Sequence, residues 1–433
     1  MNAINEQWPG AAETGVLRLI TAGSVDDGKS TLIGRLLFDS KGVFADQLQA
    51  ISGSKYTRAP QAEYDLALLT DGLEAEREQG ITIDVAYRYF ATPARKFIVA
   101  DAPGHEQYTR NMVTGASTAD AAIILIDASR APDGELLPQT KRHSTLARLL
   151  GLRHIIVAVN KMDLVGWNKA VFDRIHAAYQ DLAARLDIPH FHIVPLSALA
   201  GDNVVRRSEH TPWYDGPPLL SLLETLPLDP PRSNGQARFF VQWVIRHQGS
   251  GPDAFRGYAG QLQGGAWRPG DAVQVLPSRE TATIVRLLRG DQALDQALPG
   301  DSITVVLDRD VDVSRGDLLV DGDARPALLR EFEADLCWLD QQALNPARLY
   351  WLKLGTRLTQ VRVESVQTRR DIHELRSVEW NGTLAMNDIG RVRLRSRDPL
   401  ALDDYEAQRT TGSFILIDTA SHQTAAAGLV RMG

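Results

Sequence analysis

Five short apolar runs in the first half of the chain constrain its fold more than anything else in the sequence, because each closes on a small, polar or acidic residue. They are Val16 to Ala22, Phe97 to Ala100, Ala121 to Ile126, Ile155 to Val159 and Ile193 to Leu196. Helical stretches separate them, and that alternation predicts a parallel α/β sheet. An open sheet of this kind binds its ligand beyond the carboxyl ends of the strands. The residues that follow each run are therefore the first place to look for chemistry.

After the first run comes Gly23-Ser24-Val25-Asp26-Asp27-Gly28-Lys29-Ser30, which fits the phosphate-loop pattern GxxxxGK(S/T) and leads into the helical stretch Thr31 to Leu37. Glycines allow the backbone N–H groups of such a loop to turn inward around a phosphate. Lys29 would reach the β and γ oxygens, the Ser30 hydroxyl would ligate Mg²⁺, and the helix start at Thr31 adds positive potential. By itself this says only that a nucleoside triphosphate binds. Asp101-Ala102-Pro103-Gly104 closes the second run, where Asp101 can hold a Mg²⁺-bound water and the Gly104 N–H can approach the γ-phosphate.

Asn160-Lys161-Met162-Asp163 closes the fourth run and selects the base. A carboxylate at Asp163 can accept from the N1–H and the 2-amino group of guanine, whereas adenine would leave it unpaired. Charge-assisted bonds of this kind contribute about 1.5–3 kcal/mol each. Asn160 would brace the phosphate loop and the Lys161 stem would cover the base. Ser197-Ala198-Leu199, after the fifth run, offers backbone N–H groups to the guanine O6. Four elements in this order, each at a strand end, point to GTP and GDP as the nucleotides.

Between the first helix and Asp101 lies the polar segment Asp71 to Ile83. Its first part reads equally well as a solvated helix, but Thr82, in Gly80-Ile81-Thr82-Ile83, can bring a hydroxyl and a backbone N–H to Mg²⁺ and the γ-phosphate. Loss of that phosphate would release the segment. His105 follows Gly104 directly, where it can orient the attacking water. Val25 and Ile81 could form an apolar gate that keeps His105 from that water. Lys29, Thr82 and His105 are thus the expected catalytic residues, and Ser30, Thr82 and Asp101 the expected Mg²⁺ contacts.

The second half has another texture. A Pro-rich stretch, Pro227 to Pro231, followed by Ser233-Asn234-Gly235, reads as a linker. Phe239, Val241, Trp243 and Ile245 alternate as a strand with one buried face would. Glycines then crowd in, Pro269-Gly270-Asp271 is a turn, and a second break falls at Asp321 to Pro326. Beyond it lie Leu358 to Val366, Val392 to Leu394 and Phe414 to Ile417. Short strands with frequent turns suggest barrels. The expected organisation is a multidomain α/β plus all-β chain: a P-loop GTPase domain over 1–228, then two β-barrel domains over 233–323 and 327–433.

A net charge of −7 offers no general attraction to a phosphate backbone, so a nucleic-acid partner is not favoured. The one cysteine, Cys337, excludes an intramolecular disulfide and sits in an apolar run that suits a buried thiol. Met1 to Gly10 has no apolar signal core, and no stretch approaches the ~18 apolar residues that cross a bilayer. The expected chain is cytoplasmic, with no membrane partner.

At this point the sequence resembles the translation-factor GTPases over nearly its whole length. The resemblance rests on the loop around Val25-Asp26 and Gly28-Lys29, on Arg77 to Ile83, on Asp101 to Glu106 with Tyr108, and on Asn160 to Asp163. Ser24 and Asp27 depart from elongation factor Tu-like members, which commonly carry histidines there. The strings Asp26 to Leu37, Asp101 to Met112 and Gln139 to Ser144 instead resemble the GTPase subunit of bacterial sulfate adenylyltransferase (ATP sulfurylase). That resemblance implies a hetero-oligomer with a smaller catalytic adenylyltransferase subunit, which joins ATP to sulfate. Hydrolysis of GTP would be coupled to that uphill adenylyl transfer. The sequence carries no second phosphate loop, and it stops at Gly433 without the adenylylsulfate kinase domain that some relatives append. The rival reading is an elongation factor-like GTPase that delivers an aminoacyl-tRNA. Arg391, Arg393 and Arg395 make a basic strand face that would serve it, although a solvated face explains them as well. A stand-alone GTP-controlled scaffold is the third reading.

Overall fold

The computed structural model describes residues 15–40, 66–70, 85–104, 109–228, 235–247, 255–324, 326–371 and 374–432. Ile81, Thr82, His105, the termini and most of the Pro227 to Gly235 stretch lie outside the described residues. What is described falls into two compact units, one α/β and one all-β.

The α/β unit begins with β1 (Val16–Ala22), the phosphate-loop segment and α1 (Lys29–Asp39). It continues through β2 (Ala86–Ala91), β3 (Lys96–Asp101), α2 (Thr109–Ser117), β4 (Ala121–Asp127), α3 (Pro138–Leu149), β5 (His154–Asn160), α4 (Lys169–Arg185), β6 (Phe191–Pro195) and α5 (Leu219–Thr225). The strands form one sheet in the order β2-β3-β1-β4-β5-β6. β1, β3, β4, β5 and β6 run parallel, as the five apolar runs predict. All seven residues of β4 are buried, the pattern of a strand covered on both faces. The sequence reading contains no counterpart of β2, which pairs antiparallel with β3 at the sheet edge. It alternates exposed residues with half-buried ones and the buried Phe90, with Tyr89 68% exposed, so no continuous apolar run announces it.

One helix packs unusually close. A Cβ on Gly34, inside α1, would fall 2.1 Å from the Leu66 carbonyl oxygen. Only glycine allows α1 to lie against the short helical turn Leu66–Leu69 at that distance.

The all-β unit contains two closed barrels. The first is built from β7 (Arg238–Phe240), β8 (Trp243–His247), β9 (Phe255–Gln263), β10 (Ala272–Leu276), β11 (Thr281–Arg289), β12 (Gln292–Leu294), β13 (Ser302–Leu307) and β14 (Leu318–Asp321). Its ring runs β10-β14-β7-β9-β13-β11 and closes from β11 back to β10. The alternation expected from Phe239 to Ile245 does not occur. Arg238, Phe239, Phe240 and Val241 are all buried, and Trp243 is 66% exposed. The chain breaks between β7 and β8, and Phe240 leaves the first barrel's core to pack with residues of the second.

The second barrel uses β15 (Ala327–Trp338), β16 (Tyr350–Leu354), β17 (Arg357–Arg370), β18 (Ser377–Glu379), β19 (Ile389–Leu402), β20 (Ser413–Asp418) and β21 (Thr424–Arg431). Its ring runs β16-β20-β21-β15-β19-β17 and closes from β17 to β16. The strands expected to be short include two of 14 residues, β17 and β19. Register shifts between Val363 and Ser365 and between Val366 and Thr368 bend their pairing around the barrel.

Arg391, Arg393 and Arg395 project from β19, directly opposite Asp335, Glu333 and Glu331 of β15. Arg391 bonds Asp335 at 2.8 Å, and Arg393 lies 3.2 Å from Glu331. Arg395 lies 3.6 Å from Glu331 and 3.8 Å from Glu364. Exposed pairs like these add little stability. Their effect is to cancel the charge of a stripe that reads as basic in the sequence. Cys337 is buried, as expected from its apolar neighbours.

Candidate functional site

The ends of β1, β3, β4 and β5 meet the segment Gly23 to Ser30. Gly28 (φ 94°) and Asp26 (φ 67°) take left-handed conformations, and this curls the segment into a concave loop. No described side chain caps the first turn of α1. Its N–H groups, with those of the loop other than Gly23, Ser24 and Asp27, which donate within the chain, form the anion-binding end expected of a phosphate loop.

Several of the loop's carbonyl groups are held by side chains. Lys29 Nζ donates to the carbonyls of Gly23 (3.1 Å) and Ser24 (2.7 Å). Burial pushes the Lys29 ammonium below its usual pKa, with Asp101, Asp27 and Asp26 opposing that shift. A Cβ on Gly104 would fall 2.4 Å from Lys29 Nζ and 2.8 Å from the Val25 nitrogen, so the turn after β3 approaches the loop as only glycine allows. Asn160 joins the two recognition loops. Its Nδ2 donates to the Asp27 carbonyl at 2.8 Å, and its Oδ1 accepts from the Ala198 N–H at 2.9 Å.

The Ser30 hydroxyl lies 3.0 Å from Asp101 Oδ2, and Thr21 Oγ1 donates to Asp101 Oδ1 at 3.1 Å. A hydroxyl and a carboxylate side by side are the hard oxygen donors that suit Mg²⁺, so these residues fit the ion.

Among Ser197, Ala198 and Leu199, the Ser197 N–H already donates to Asp202 and the Ala198 N–H to Asn160. Arg35, on α1, donates through Nε to the Ala198 carbonyl at 3.2 Å and through Nη2 to the Leu199 carbonyl. Asp163 lies in the short helical turn Met162–Val165, directly after Lys161 in its left-handed conformation. Lys161 Nζ is held 2.8 Å from Asp127 Oδ2. Burial works against the Asp127 carboxylate, yet bonds from Lys161 and Ser129 outweigh it and keep its pKa below the usual value.

The Asp27 side chain bonds back to the loop itself. It is fully buried, with Oδ2 accepting from the Ser24 N–H at 2.6 Å. Burial raises its pKa to about 6 against the pull of Lys29 and Arg130. His143 on α3 is also buried, and its Nδ1 accepts from the Gly23 N–H at 3.0 Å. Burial, with Lys29 and Arg142 nearby, lowers its pKa to about 3, so it is the neutral imidazole with its proton on Nε2. One helical turn earlier, Gln139 Nε2 donates to the Gly104 carbonyl at 3.3 Å.

The sequence reading missed Arg35, Asp127, Arg130 and His143 as parts of the site. Gln139 and His143 stand four residues apart, and that spacing puts them on one face of α3. Asp127 and Arg130 follow the third apolar run, the one run whose end was not examined for chemistry.

Residues 14–230 match the family described as the elongation factor Tu GTP binding domain, and residues 331–431 match the GTP-eEF1A C-terminal domain-like family. The chain is 49% identical over 420 residues to sulfate adenylyltransferase subunit 1 of Aeromonas hydrophila, covering 96% of this chain and 86% of that protein. It is 50% identical to the protein of the same name from Chromobacterium violaceum, with the same coverage. It is 49% identical to the bifunctional enzyme CysN/CysC of Mycobacterium tuberculosis, covering 96% of this chain and 67% of that one. Among solved structures, the S. cerevisiae Ski7 GTPase-like domain, bound to GTP, superposes with a TM-score of 0.53 at 16% identity, covering 97% of this chain and 98% of that domain. That last likeness concerns the fold alone.

Proposed function

The chain belongs to the sulfate adenylyltransferase subunit 1 family and carries its elongation factor Tu-type GTP-binding domain, and from that premise we propose that it couples GTP hydrolysis to sulfate activation. In this reading its partner is a smaller catalytic subunit that forms adenosine 5′-phosphosulfate from ATP and sulfate, and the pair works in the cytoplasm. The observation that carries the nucleotide chemistry is the Asn160 bridge from the Asp27 carbonyl to the Ala198 N–H, since it ties a phosphate loop to a base-reading loop.

The loop N–H groups and Lys29 hold the phosphates, and Asp163 accepts from the guanine edge while backbone N–H groups of Ser197, Ala198 and Leu199 donate to O6. Ser30 and Asp101 would hold Mg²⁺, together with Thr82. Bound there, Mg²⁺ supplies positive charge to the β and γ oxygens. His105 orients the attacking water, and the Val25–Ile81 gate controls its approach. The switch around Thr82, Ile81 included, lies outside the described residues together with His105.

Likeness over 96% of the chain to proteins named as subunit 1 supports an assembly with a second subunit. The paired charges of Arg391, Arg393 and Arg395 give no support to delivery of an aminoacyl-tRNA. The test is a GTPase assay with a smaller adenylyltransferase subunit, with and without ATP and sulfate. Stimulated GTP hydrolysis, with adenosine 5′-phosphosulfate accumulating beyond its GTP-free level, supports coupling. Hydrolysis that ignores ATP and sulfate, with aminoacyl-tRNA binding instead, would replace this reading with its rival.

A further inference from the structure

We propose that Arg130 is a positioning residue for the nucleotide's phosphates, holding from behind the peptide that joins Val25 to Asp26. The inference rests on the reading of Gly23 to Ser30 as the phosphate loop.

Arg130 Nη1 donates to the Val25 carbonyl at 2.8 Å. A trans peptide is planar, and its C=O and N–H point in opposite directions. The N–H opposite the Val25 carbonyl is that of Asp26, which sits at the left-handed turn of the loop. Fixing the carbonyl therefore fixes the direction of that N–H. A cation on the carbonyl also polarises the peptide and strengthens the donor on its far side.

Other carbonyls of the loop are held by side chains as well: those of Gly23 and Ser24 by Lys29, and that of Asp27 by Asn160. Among the described residues, Arg130 is the group that does this for Val25. It has a second attachment to the loop, because Nη1 also lies 3.6 Å from Asp27 Oδ1, a buried carboxylate oxygen without a hydrogen bond.

The turn that aims Arg130 is itself anchored. The Arg130 N–H donates to the Asp127 carbonyl at 3.1 Å. Asp127 Oδ1 accepts from the N–H and the hydroxyl of Ser129 at 2.9 Å and 2.6 Å. The other oxygen, Oδ2, pairs with Lys161 of the base-reading loop at 2.8 Å. One short turn thus braces the loops at both ends of the nucleotide. The Arg130 side chain is itself 44% exposed, so shortening it opens no cavity in the core.

The test compares the parent chain with Arg130→Ala and Arg130→Lys, titrating each with GDP and with IDP, which lacks the 2-amino group. Urea unfolding without nucleotide serves as the fold control. Arg130→Ala is expected to lose roughly tenfold in affinity for both nucleotides, with the GDP to IDP ratio and the unfolding midpoint unchanged. Arg130→Lys is expected to recover most of the loss, since an ammonium can also reach the Val25 carbonyl. Parent-like GDP affinity in Arg130→Ala overturns the proposal. So does a changed GDP to IDP ratio, which would mean that the base site had loosened too. A parent chain that binds no GDP overturns the phosphate-loop reading itself.

Discussion

Asn160 is the side chain whose removal disturbs the nucleotide site most directly. In Asn160→Ala the Ala198 N–H and the Asp27 carbonyl both lose their partner, and both residues are about fully buried, at 1% and 0% exposure. Leaving a buried polar group unpaired costs about 1–3 kcal/mol, so the pair costs about 2–6 kcal/mol if the loops keep their places. Without nucleotide the loops can relax and let water reach those groups. Binding must then bring them back together and dry, so the cost appears in affinity. At the lower end, about 2 kcal/mol, the dissociation constant for GDP rises about 30-fold. The assay is calorimetric titration with GDP, with hydrogen exchange of peptides covering Gly23 to Ser30 and Leu196 to Asp202 in the nucleotide-free chain. The expected result is weaker binding with faster exchange in both segments. A change of less than about threefold in affinity, with parent-like exchange, would refute the claim that Asn160 holds the two loops in register.

Asp163→Asn should weaken GTP binding and favour xanthosine triphosphate in a competition assay, because the amide can no longer accept from both donors of guanine. Asp27 keeps its proton in the folded state up to about pH 6, so its contribution to stability is present below about pH 4 and lost as pH rises through 6. The unfolding free energy of Asp27→Asn relative to the parent should accordingly grow by about 2–3 kcal/mol across that window and level off above it. A flat difference across the window would show the carboxyl to be ordinary. Gly34→Ala should destabilise the α/β unit despite alanine's better helix propensity, because its Cβ meets the Leu66 carbonyl, and thermal unfolding would register the loss. Asp403→Ala strands the Arg238 guanidinium, which is 1% exposed and doubly bonded to that carboxylate at 2.9 Å and 3.1 Å. A loss of about 3–5 kcal/mol in urea unfolding is expected for the all-β unit.

The parallel sheet was legible because its inner strands are covered on both faces, and runs such as Ala121 to Ile126 have no other stable home. The phosphate loop and the Asn160 to Asp163 element were legible because their chemistry is carried by residues adjacent in the chain. What stayed hidden was held by partners remote in sequence. Nothing near Arg130 reveals that its target is the Val25 carbonyl, and nothing near Arg35 points to the carbonyls of Ala198 and Leu199. Periodicity also failed at Phe239 to Ile245, because a strand passing between two cores buries consecutive residues. In β19 the reading found the arginines but could not find Asp335 and Glu331, which only strand register brings opposite them.

The bracing of the phosphate loop's carbonyls has a kinetic consequence. Lys29, Arg130 and Asn160 hold the curvature of Gly23 to Ser30 through bonds made within the chain itself. Little ordering then remains for the moment of encounter, so the arrival rate of a nucleotide depends on diffusion and charge more than on a wait for the loop to form. Discrimination between a good and a poor nucleotide must in that case be expressed in how long each one stays.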